Sequence, residues 1–160
     1  MGKVIRSFTN GFPGAVSRSV DNVIISMKNG SGAAIAFGAP VFLNAGDNSC
    51  RGFSAETATS ATFIGFAVRA ADKTPDTYGS SEAFFAANDP VDILVRGSTV
   101  LRFANNAAPG GSVYIRKSDG SLVTAAGAEG STVQLPNVTV RTARDENDRA
   151  EVVITKRNLM

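Results

Sequence analysis

The sequence predicts an all-β protein: a small β-barrel or sandwich of short antiparallel strands with an extended N-terminal arm. Apolar residues along the 160-residue chain fall in short runs or alternations, not at helical spacing. Gly, Asn, Asp and Pro interrupt those runs roughly every 8–12 residues, the punctuation of strands and turns. Small residues, Gly, Ala, Ser, Thr, Asn and Val, dominate the chain, with ten phenylalanines and no tryptophan.

Taken in order, residues 1–19 are broken too often for a useful strand, with Phe8, Gly11, Phe12, Pro13 and Gly14 close together. They are expected to form an extended arm with aromatic anchors, and residues 20–160 one β-barrel domain. Val23-Ile24-Ile25-Ser26-Met27 predicts a strand over 22–28, ended by Asn29-Gly30-Ser31-Gly32. Ile35, Phe37, Val41 and Leu43 mark the next, kinked at Gly38 and Pro40. Phe63 to Arg69 alternates as a half-buried strand does, residues 71–80 form a turn-rich loop, and Glu82 to Ala86 suits either a short strand or one helical turn. Val91–Arg96 and Thr99–Phe103 predict a β-hairpin turning at Gly97-Ser98. A second hairpin joins Val113–Arg116 to Leu122–Thr124 through Ser118-Asp119-Gly120. The last pair, Val133–Thr142 and Ala150–Lys156, connects through Asp145-Glu146-Asn147-Asp148.

The composition removes several kinds of chemistry. Histidine is absent, which takes away the commonest general base near neutral pH and the commonest metal ligand. Cys50 is a lone cysteine, read as a small apolar filler near a strand end. Sixteen basic residues face fourteen acidic ones, a net charge of +2 that is too small and too scattered for a nucleic-acid footprint. No apolar run approaches the ~18 residues of a membrane span. Met1 to Arg6 offers no apolar h-region or cleavage site, so the chain is expected to stay in the cytoplasm or enter a particle assembled there. Asp145, Glu146, Asp148 and Glu151 lack the spacing of a calcium loop and are crossed by Arg141, Arg144 and Arg149, which reads as a solvated charged turn. Asp89 and Asp92 read as solvent-facing positions of an alternating strand. The glycine-rich stretches 30–32 and 110–112 lack the lysine and helix of a phosphate loop. The expectation is a non-enzymatic protein without catalytic, cofactor or metal sites.

Two passages carry a family resemblance. Gly11-Phe12-Pro13-Gly14-Ala15-Val16-Ser17-Arg18, then Val23-Ile24-Ile25-Ser26 and Ile35-Ala36-Phe37-Gly38-Ala39-Pro40-Val41, form the first. The second is Phe63 to Arg69, Asp89 to Gly97, Gly111-Ser112-Val113-Tyr114 and Asp119-Gly120-Ser121-Leu122. In order and spacing these resemble the structural cement, or capsid decoration, proteins of tailed bacteriophages over roughly residues 11–125, while the stretch from Val133 to Met160 departs from the family pattern. The resemblance implies a virion protein, commonly a homotrimer, that sits on the outside of the assembled head and clamps neighbouring major capsid subunits, with no nucleic-acid or membrane partner. Phe8, Phe12, Pro13 and Arg18 are then the expected capsid contacts. The other reading of Phe12 is that the arm folds back and the ring plugs its own domain. Other classes are a head-fibre base, a tail component or a ligand-binding β-sandwich. Sugar binding is disfavoured by the lack of tryptophan and by only two tyrosines, Tyr78 and Tyr114. A trimeric β-fold nucleotide hydrolase would need an aspartate-bearing glycine loop and magnesium.

Overall fold

The computed structural model describes residues 10–70 and 83–158. Among these the chain forms strands β1 (Val16–Lys28), β2 (Ile35–Ala36), β3 (Pro40–Leu43), β4 (Cys50–Arg51), β5 (Phe63–Ala67) and β6 (Phe84–Phe85). They are followed by β7 (Pro90–Arg102), β8 (Ser112–Arg116), β9 (Leu122–Val123), β10 (Thr132–Val140) and β11 (Arg149–Ile154). Eight of them hydrogen-bond in the order β4-β3-β5-β7-β11-β10-β8-β9, and β1 pairs with β7 as the ninth. Every pairing within this sheet is antiparallel, and the sheet curls into a half-barrel. β2 and β6 make a separate two-stranded ladder, so of the two readings of Glu82 to Ala86 the strand holds, at Phe84–Phe85, with Glu82 outside the described residues.

The predicted hairpin at Gly97-Ser98 does not exist. β7 runs unbroken through both residues for thirteen positions. Local sequence favours reversal there, but partners distant in the chain override it. β1 pairs with β7 from Pro90 to Thr99, β5 takes Ile93 and Leu94, and β11 takes Gly97 to Arg102. Gly97 does not turn the chain; with φ at +119° it bends the strand in a conformation that suits glycine. The bend carries one face of the strand from one core to another. Val91, Ile93 and Val95 pack in one buried cluster with Ile35, Val41 and Phe85. Leu101 and Phe103, of the same odd parity, pack in the other with Phe42, Phe63 and Val113.

β5 divides the two clusters and is buried along its whole length. Phe63 and Phe66 point into the cluster of Leu101 and Phe103, Ile64 and Ala67 into that of Val91 and Ile93. Edge-to-face contacts link Phe63 to Phe42 and Phe66, with ring centroids 5.9 and 5.3 Å apart. Burying each such ring contributes about 1.5–3 kcal/mol, so the aromatic trio is a major share of the core. The kink expected at Gly38 and Pro40 is a turn, Ala36 to Ala39, between β2 and β3. The first long strand begins at Val16, six residues earlier than the apolar run from Asn22 suggests. The two C-terminal hairpins expected from the sequence are present as β8–β9 and β10–β11.

Gly65 shows how closely β5 and β7 approach. A Cβ there would overlap the Leu94 carbonyl oxygen and lie 2.9 Å from its carbon. Gly46, in an open turn, has nothing within 4 Å of the same position. Gly65→Ala is therefore expected to lower the unfolding free energy by more than about 2 kcal/mol, and Gly46→Ala to leave it within about 0.5 kcal/mol. Urea denaturation of the two variants measures the contrast.

Candidate functional site: the N-terminal surface

Residues 10–18 lie against the barrel. Phe12-Pro13-Gly14-Ala15 is a β-turn closed by the Ala15 N–H on the Phe12 carbonyl at 2.9 Å, with Pro13 at its second position and Gly14, at φ +77°, at its third. That placement of proline and glycine is what a type II turn requires. The turn docks onto the one at Ala36–Ala39, glycine against glycine. A Cβ on Gly14 would sit 2.8 Å from the Gly38 nitrogen, and one on Gly38 would sit 2.9 Å from the Gly14 nitrogen. Main-chain bonds complete the seam: the Gly14 N–H donates to Val100 O, the Arg69 N–H to Gly14 O and the Val100 N–H to Ala15 O.

Phe12 stands on this turn with half its surface exposed and joins neither buried cluster. Its ring carries the guanidinium of Arg149 at 4.9 Å and that of Arg69 at 5.5 Å from its centroid. Cation–π contacts at such sites contribute about 0.5–1 kcal/mol each, enough to fix the ring's direction. Arg149 also donates to Gly11 O at 2.8 Å. Pro13 is half-buried in the seam and Arg18 is exposed on β1. Phe8 lies outside the described residues.

Two carboxylates fasten the segment, both from the stretch that the sequence reads as a solvated charged turn. Glu151 on β11 is buried and accepts from Arg18 Nε at 2.8 Å and Ser17 Oγ at 3.0 Å. Burial alone would push its pKa up; the hydrogen bonds from Arg18 and Ser17 and the charges of Arg18 and Arg141 outweigh it and hold the carboxyl below its ordinary value. Asp145 accepts the backbone N–H groups of Asn10, Asn147 and Arg149. Its burial is likewise outweighed by those donors, and its pKa is lowered. The stretch read as a solvated charged turn is thus a clasp. Its mixed charges were visible in the sequence, but their partner, Asn10, lies more than 130 residues away.

The other residues weighed in the sequence lie in the core, in turns and in strand ladders. Among the described residues no three His, Cys, Asp or Glu side chains gather as a metal site. Cys50 is buried and its thiol is pushed up to about 11 by desolvation, so it stays protonated at neutral pH. Asp89 and Asp92 are half-buried, not solvent-facing: Asp89 accepts the Ala86 N–H in a turn, and Asp92 accepts the Ser26 hydroxyl across the β1–β7 ladder.

Comparison with known proteins identifies the family. The phage structural cement protein profile, described by the members E217 gp24 and Pam3 gp6, matches residues 3–155. The chain is a member of the phage structural cement proteins. The match runs through β10 and all of β11, so the C-terminal stretch that departs from the family pattern falls within the family's extent as far as residue 155. A chain of the structure "The capsid of Myoviridae Phage XM1" shares the fold, with a TM-score of 0.71 at 17% identity over 96% of this chain and 95% of that one. The head fibre gp8.5 N base of bacteriophage phi29 aligns at 13% identity over 86% of this chain and 99% of that one, with a TM-score of only 0.43. No curated protein matches. Membership makes this cement protein a component of the virion that associates with capsid proteins.

The clasp has a pH signature. Because the folded-state pKa of Glu151 is depressed, its contribution to stability is complete above the ordinary glutamate value of 4.5 and is lost as the pH falls below it. Thermal unfolding of wild type and Glu151→Gln between pH 3 and 7 should show the variant less stable at neutral pH and the gap closing toward the acid end. A gap constant with pH would mean that Glu151 acts through packing alone.

Proposed function

We propose that this cement protein binds the outer face of an assembled phage head through its N-terminal surface and stabilises contacts between major capsid subunits. One observation carries the reading. Five large apolar side chains are exposed among the described residues, and four of them, Phe12, Val16, Val20 and Ile24, fall within residues 12–24. Exposed apolar groups concentrated on one edge of a well-packed domain mark a contact surface. The segment is also fastened, by Asp145 at Asn10, by Glu151 at Ser17 and Arg18 and by β7 from Val23 on, so little ordering entropy remains to oppose attachment. Phe12, Pro13 and Arg18 lie on this surface, and with Phe8 they are the proposed contacts. No step in this role calls for catalysis, a cofactor, nucleic acid or a membrane. The protein is proposed to work as a trimer placed on shells assembled in the host cytoplasm; light scattering on the free protein, with a molar mass three times 16.6 kDa expected, tests that state.

Co-sedimentation with shells that lack the protein tests the function. Saturable binding at a fixed number of copies per capsid subunit is expected, together with a rise in the temperature at which the shells disrupt. Phe12→Ala should weaken attachment about tenfold, the loss typical of one interface aromatic. Folded protein that fails to bind would move the role to another part of the virion, such as a tail component or head-fibre base.

A further inference from the structure

The β1 strand does not follow β7 evenly. Arg18 pairs with Ser98 and Val23 with Arg96, so four residues, 19–22, stand opposite the single Gly97. The surplus loops outward as a bulge, and Val20 is 89% exposed on it, the most exposed large apolar side chain among the described residues. This bulge is braced. Asn22 closes its neck, with Oδ1 accepting the Ser98 N–H at 3.3 Å and Nδ2 donating to Arg18 O. That side chain fills the space Gly97 leaves open, since a Cβ on Gly97 would overlap Asn22 Oδ1. Ion pairs flank the bulge on both sides, Arg18 with Glu151 at 2.8 Å and Asp21 with Arg96 at 2.7 Å.

We propose that this bulge is the element that seats in the shell, Val20 entering an apolar socket whose rim is acidic; the inference rests on the cement reading above. Fixing an apolar side chain in water has no folding benefit, whereas a rigid protrusion loses little entropy on docking. The surroundings specify the partner's charge. Arg18, Arg96 and Arg141 are exposed around the bulge, and Arg18 and Arg141 line the cavity of about 370 Å³ beside it with Val153 and Ile154. Asp21 pairs with Arg96 and Glu151 with Arg18, so Arg141 leaves the face one positive charge in excess. A two-fold contact between copies through this face would set arginine against arginine, which disfavours a second copy and favours a shell protein bearing carboxylates around an apolar pocket.

The test compares binding of wild type, Val20→Ser and Val20→Ile to shells lacking the protein, with Tm and molar mass measured on each free protein. Val20→Ser should bind about ten- to a hundredfold more weakly, as expected for losing the burial of one such side chain, with unchanged Tm and molar mass. Val20→Ile should bind as wild type does, and Arg141→Glu should weaken attachment most at low salt. Undiminished binding by Val20→Ser, while wild type binds, overturns the bulge and leaves the cement reading standing. A lower molar mass for Val20→Ser than for wild type also overturns it, because the bulge would then join copies of this chain. If wild type does not bind at all, both readings fall together.

Discussion

β7 is the element on which the rest of the structure depends. It pairs with β1, β5 and β11 and sends side chains into both buried clusters. A straight strand would keep Val91, Ile93, Val95, Leu101 and Phe103 on one face, and a single core would have to receive them all. The bend at Gly97 shares them between two cores, one on each side of β5. The same glycine makes room for the Asn22 side chain and so allows β1 to bulge where β7 bends. One residue without a side chain thereby couples the division of the interior to the shape of the surface.

A second constraint fastens residues 10–15 to the sheet. Residues 10–15 contain no apolar run that would bury itself, and their attachment is made of turn geometry and charge. The type II turn presents Gly14 to Gly38 at a distance that tolerates no side chain on either, which is why the segment docks in one register. Asp145 and Glu151 then hold its two ends with charge-assisted hydrogen bonds, stronger than neutral ones and fully formed when the carboxylates are ionised. Order in this surface is therefore electrostatic in origin although its exposed groups are apolar.

Much of the architecture was legible in the sequence because most strands are short and bounded by their own turn residues. The hairpins β8–β9 and β10–β11 follow from Asp119-Gly120 and from the 145–148 turn. β5 lies where its apolar run predicts, but it is buried along its whole length and not half-buried as alternation suggests, because a core packs on each side of it. What escaped were features decided by distant partners. Gly97-Ser98 carries the local chemistry of a turn, and only pairing with β1 and β11, tens of residues away on either side, holds it in a strand. The N-terminal half of β1 was hidden for a similar reason, since the bulge destroys the alternation that would have announced it. At the site, Phe12, Pro13 and Arg18 were visible through the Gly-Phe-Pro-Gly motif. Glu151 looked like one more surface charge, because burial of a carboxylate depends on the arginine and serine that a separate strand delivers.

These features suit a protein that acts as one of many identical copies on a lattice. A cement protein gains from repetition, because each contact need only be modest when linked sites reinforce one another. Such a system tolerates weak contacts and is intolerant of misplaced ones, since a copy seated in the wrong register spoils its neighbours' geometry as well. Rigidity of the contact surface therefore matters more than its area. The glycine-to-glycine docking, the carboxylate clasps and the neck closed by Asn22 all supply rigidity without adding to the exposed apolar surface. In the proposed role, that is the balance a free copy needs before it meets a shell: enough apolar surface to attach, too little and too well separated by charge to aggregate.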